Sequence, residues 1–74
     1  MSLDQLPIGS KGKVTALALE GAERRRLLDL GLSLGAVIEA VRRSPLGDPV
    51  AYLVRGSTIA IRRDQAQKVE VEPC

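Results

Sequence analysis

The sequence predicts a mainly β fold: a small barrel of about five short strands, with one short α-helix inserted after the first. Three observations carry that expectation. Apolar residues recur with period two in short runs, such as Val50-Ala51-Tyr52-Leu53-Val54 and Val69-Glu70-Val71-Glu72, as half-buried strands require. A single segment, beginning at Glu20, switches to helical spacing. The chain has 74 residues, too few for the parallel crossovers of a layered α/β architecture.

The elements follow in order. Leu3 to Gly12 mixes Pro7, Gly9 and Gly12 with Leu6 and Ile8, an irregular arm whose apolar residues are expected to dock on the fold. Lys13 to Leu19 is the first strand, with Val14, Ala16 and Ala18 on one face and Leu17 and Leu19 on the other. Because both faces carry apolar residues, alternation alone does not orient it. A helix of about ten residues is expected from Ala22: Leu27 and Leu30 stand three apart, and Glu23 sits where the helix dipole favours an acid. Arg25 is placed to meet Asp29, and Arg24 to lay its stem along Leu28. Gly31 ends the helix by taking the left-handed conformation, which folds Leu32 back onto Leu27.

The second strand runs from Ala36 to Arg43, with Ile38 and Ala40 on one face, and Pro45 ends it. Two prolines stiffen the loop Pro45-Leu46-Gly47-Asp48-Pro49. A two-residue turn at Gly56-Ser57, glycine first, pairs Arg55 with Thr58, Val54 with Ile59, Leu53 with Ala60 and Tyr52 with Ile61. That register gathers Val50, Tyr52, Val54, Ile59 and Ile61 on the core face and leaves Leu53, Ala60, Arg55 and Arg62 on the other. After a turn at Asp64-Gln65-Ala66-Gln67, Val69 and Val71 point inward from an edge-type strand while Lys68, Glu70 and Glu72 point outward. This arrangement fits an SH3-like barrel, with residues 1–74 as one domain.

Composition narrows the function classes. The net charge is +2, from 11 basic and 9 acidic residues, and Tyr52 is the only aromatic, whereas nucleic-acid binders favour surface aromatics and a steeper charge. The chain has no histidine, one cysteine at Cys74, and carboxylates scattered without ligand-like spacing, so neither a metal site nor a cofactor is expected. Nothing is present to activate a nucleophile and no loop cradles phosphate, so the chain is not expected to be an enzyme. A lone cysteine, no signal-peptide pattern and no apolar run of bilayer length point to the cytoplasm, with any membrane reached through a partner.

The outer surface is then the remaining tool. Among the basic residues, Arg42, Arg43, Arg55, Arg62 and Arg63 are the ones sheet geometry can gather on one side. The run Arg24-Arg25-Arg26 cannot form one patch, because successive helical positions diverge by about 100°. Leu46, at the tip of the proline-stiffened loop, either anchors a partner or folds under to cap the barrel end.

Several pieces together resemble the FeoA family: Leu6-x-x-Gly9, Gly12-x-Val14, Arg26-Leu27-Leu28-Asp29-Leu30-Gly31-Leu32, Gly35-Ala36, Pro45-Leu46-Gly47-Asp48-Pro49, Val54-Arg55-Gly56 and Ile59-Ala60-Ile61-Arg62. The likeness spans nearly the whole chain; Ser33-Leu34 departs from it, where the family often has a proline before the glycine. The resemblance implies an SH3-like accessory of bacterial ferrous-iron uptake that binds the cytoplasmic, GTPase-containing region of a FeoB-type membrane transporter. On that reading the partner-binding residues are Arg43, Leu46, Asp48, Arg55 and Arg62, the arginines pairing carboxylates on the partner. The rival reading is a nucleic-acid-binding or metal-dependent-repressor-associated SH3-like domain, which normally follows a helix-turn-helix module that this sequence lacks. Self-association is the third alternative.

Overall fold

In the computed structural model, which describes residues 1–74, five strands form one antiparallel sheet. They are β1 (Lys11–Leu17), β2 (Val37–Arg43), β3 (Val50–Val54), β4 (Ser57–Ile61) and β5 (Val69–Pro73), in the order β4-β3-β2-β1-β5. The sheet coils as an SH3-like barrel does but does not close, with β4 and β5 as its two edge strands. Helix α1 (Gly21–Asp29) joins β1 to β2, the short helix α2 (Arg63–Ala66) joins β4 to β5, and a 3-10 turn covers Leu3–Gln5. The fully buried side chains are aliphatic apart from Tyr52, the largest of them.

Strands β1 and β2 each carry a β-bulge, and the one in β1 explains why apolar residues occur on both of its faces. The β1·β5 pairing steps from Val14 opposite Val71 to Ala16 opposite Glu70, so Thr15 is an extra residue. An extra residue inverts the alternation beyond it. Val14 therefore faces the core before the bulge, and Leu17 and Leu19 face it afterwards, while Ala16 and Ala18, expected beside Val14, are exposed. In β2 the same device at Val41 separates Ala40 opposite Tyr52 from Arg42 opposite Ala51.

Helix α1 ends as its sequence predicts. Gly31 has φ +104°, its N–H donates to the Leu28 carbonyl at 3.0 Å, and the Leu32 N–H donates to the Leu27 carbonyl at 2.9 Å. These two bonds are the Schellman pair, and they bury Leu27 and Leu32 completely. The expected Arg25–Asp29 ion pair does not form, since the one ion pair in the chain joins the Met1 amine to Glu70. Arg24 instead donates to the Leu17 carbonyl at 3.2 Å.

The hairpin register differs from expectation. Val54 pairs with Ser57, Leu53 with Thr58, Tyr52 with Ile59, Ala51 with Ala60 and Val50 with Ile61, so the turn is Arg55-Gly56 and not Gly56-Ser57. Both turn residues have positive φ, +51° and +81°, which is the type I′ geometry whose twist matches the flanking strands. The slip is by two residues, so Tyr52, Val54, Ile59 and Ile61 keep the inward face. In the N-terminal arm Leu3 and Leu6 are buried, whereas Ile8 is exposed. The segment expected as a turn at Asp64 to Gln67 is mostly α2, whose Ala66 is buried.

Candidate functional site

The β2–β3 loop closes on itself. The Gly47 N–H donates to the Ser44 carbonyl at 2.8 Å and the Ser44 N–H donates to the Pro49 carbonyl at 3.2 Å. A third bond ties the loop to the next element: the Arg63 N–H donates to Asp48 Oδ1 at 2.9 Å. Leu46 is carried at the tip and is 94% exposed, so it does not fold under to cap the barrel. One apolar side chain is thus held in water on a backbone closed by its own hydrogen bonds.

Beneath this loop lies a groove of about 370 Å³, floored by Val50, Tyr52 and Ile61 and rimmed by Arg43, Arg63 and Asp4. The Tyr52 hydroxyl donates to the Leu3 carbonyl at a long 3.5 Å. Burial, and after it the Asp4 carboxylate, push its pKa up to about 12, so it stays a protonated donor at neutral pH. No three or more His, Cys, Asp or Glu side chains come together as a metal-holding group. No helix is long and apolar enough to cross a membrane.

Of the five residues singled out from sequence, the fold places four at this end. Arg43 closes β2, Leu46 and Asp48 lie in the loop, and Arg62 follows Ile61, which pairs with Val50 at the loop end of β3. Arg55 stands at the far end of β3, about 16 Å away at 3.3 Å per strand residue. There its guanidinium donates to Ser33 Oγ at 3.1 Å, and its stem lies over Gly31, where an added Cβ would come 3.1 Å from Arg55 Cδ. Arg63 is not among those five. It both rims the groove and supplies the N–H that holds Asp48, and a contact across fifteen residues of chain leaves no local signal.

The FeoA domain family matches residues 1–73. A curated relative from Porphyromonas gingivalis, an Fe(2+) transport protein A/Fe(2+) transporter FeoB fusion protein, is 35% identical over 72 residues, covering 97% of this chain. The match spans only 8% of that fusion protein. The solution structure of FeoA from Chlorobium tepidum superposes with a TM-score of 0.93 at 41% identity, over 99% of this chain and 70% of that one. A crystal structure of Stenotrophomonas maltophilia FeoA complexed with zinc, described as a prokaryotic SH3 domain protein, gives 0.83 at 30% identity, over 97% and 89% of the two chains. The family match over residues 1–73, together with the superposition of almost the whole chain on a FeoA structure, establishes that this chain belongs to the FeoA family.

Proposed function

We propose that this chain is a cytoplasmic accessory of ferrous-iron uptake, acting by protein–protein binding to the GTPase-containing region of a FeoB-type transporter. It carries no catalytic step of its own on this reading. The loop end of the barrel is the main contact, with Leu46 as the apolar anchor and Arg43 and Arg62 as partners for carboxylates. Asp48 holds the loop through the Arg63 N–H and offers its second oxygen to a donor on the partner. Arg55 makes a separate contact at the other end of β3.

The observation that carries this reading is the 94% exposure of Leu46 on a loop closed by its own backbone bonds. An exposed leucine contributes nothing to folding, and the bonds around it remove the ordering cost of presenting it. Support comes also from the Porphyromonas gingivalis fusion, which carries a FeoA-like segment and FeoB in one polypeptide. A covalent link of this kind raises the effective concentration of two modules that bind each other.

The test is capture by the transporter's soluble cytoplasmic domain. A Leu46→Asp variant, with its fold verified by circular dichroism, is expected to lose at least about tenfold in affinity, roughly 1.4 kcal/mol. Equal capture of both proteins removes Leu46 from the contact. Failure to capture the unmodified protein overturns direct binding altogether.

A further inference from the structure

The two edges of the sheet are finished differently. β5 carries Glu70, Glu72 and Pro73, and its outer side is covered: the Val71 N–H donates to the Met1 carbonyl at 2.8 Å, and Ser2 bridges to Glu70. These are the devices by which sheet edges are protected from unwanted pairing. β4 reads Ser57-Thr58-Ile59-Ala60-Ile61, with no charge and no proline, and it pairs with β3 in an unbroken register.

The two-residue turn decides which β4 backbone groups are free. It makes Val54 and Ser57 a hydrogen-bonded pair, so the N–H and C=O of Ser57, Ile59 and Ile61 face β3. Those of Thr58 and Ala60 point away from the sheet. Both residues are exposed, and neither takes part in any backbone bond outside the ladder. Cations bracket this edge: Arg55 precedes the strand, Arg62 and Arg63 follow it, and none of the three is in an ion pair.

We propose that β4 is the docking edge for an extended segment of a partner protein, added to the sheet as a further strand and bearing acidic residues at both ends. Backbone hydrogen bonds to Thr58 and Ala60 supply the pairing, and Arg55 at one end with Arg62 at the other select the acidic flanks. A second copy of this chain fits the edge less well. An antiparallel β4 pair centred on Ile59 sets Arg55 opposite Arg63 of the second copy, and like charges facing across strands repel. The inference rests on the protein-binding reading above and deepens it, since it gives Arg55 and Arg62 one ligand despite their separation.

Amide hydrogen exchange on the isotope-labelled protein tests it, with the transporter's soluble cytoplasmic domain as the probe. In the free protein the Thr58 and Ala60 amides should exchange fast and those of Ser57, Ile59 and Ile61 slowly. In the complex, exchange at Thr58 and Ala60 should slow by at least about tenfold. Ala60→Pro removes an outward N–H and no ladder bond, so the variant, checked for its native spectrum, should lose at least about tenfold in capture. Capture with unchanged exchange at Thr58 and Ala60, or undiminished capture of a folded Ala60→Pro, overturns the edge proposal and leaves the accessory function standing. Absence of any capture overturns both. Protection at Thr58 and Ala60 that grows with protein concentration alone makes a second copy the occupant and overturns the proposed partner.

Discussion

Strand β3 is entered and left through tight reversals of opposite design. At its start, the loop from Ser44 to Pro49 uses its charged residue to hold itself in place, Asp48 accepting the Arg63 N–H, and leaves its apolar residue, Leu46, in water. At its end, the Arg55-Gly56 turn does the reverse: a cation occupies a left-handed position, φ +51°, that Asn or Gly would occupy at less cost. That backbone conformation costs an ordinary residue about 1 kcal/mol. Each reversal departs from what stability alone would select at a surface position. The proposed binding role of Leu46 and Arg55 gives each of these local inconsistencies a reason that stability does not.

Three substitutions break or sharpen this contrast, beginning with the largest. Gly31→Val places a β-branched residue at φ +104° with its Cβ 3.1 Å from both Val54 Cγ1 and Arg55 Cδ. Left-handed strain and overpacking together should remove about 3 kcal/mol in urea denaturation. A loss under about 1 kcal/mol would mean that the helix end does not support the Arg55 turn.

Asp48→Ala acts on the other reversal. It leaves the Arg63 N–H without its acceptor and should lower stability by about 1 kcal/mol, with faster exchange of the Arg63 amide as the specific sign. Unchanged exchange would show that the loop holds its shape without α2. The smallest effect is a gain. Arg55→Asn, which makes the turn Asn-Gly, should raise stability by about 0.5 kcal/mol, or roughly 2 to 4 °C in thermal midpoint, while weakening capture of the transporter domain. A variant both less stable and equally well captured would place the value of Arg55 in its bond to Ser33 and not in binding.

The parts of the fold that were readable are those with local causes. The helix stop at Gly31, the inward placement of Ile38 and Ala40, and the alternation of Val69 and Val71 with Glu70 and Glu72 each follow from residues within a few positions of one another. The hairpin register was not readable by pattern: pairing Tyr52 with Ile59 or with Ile61 leaves the same side chains inward, so burial alone does not discriminate the two. The turn also hid itself, because arginine is not among the usual residues at positive φ. At the loop end, the sequence leaves the exposure of Leu46 as one of two alternatives, and only the folded loop decides between them.

By itself, the sequence determined the class of fold, the number and inward faces of most strands, and the helix and its cap, because periodicity and capping act over a turn or a strand. Tertiary structure alone decided the bulges at Thr15 and Val41, the bond from Arg63 to Asp48, the separation of Arg55 from the other four residues, and which edge of the sheet stays open. Each depends on where distant segments meet, and pairing between strands is settled by the whole barrel closing around its core.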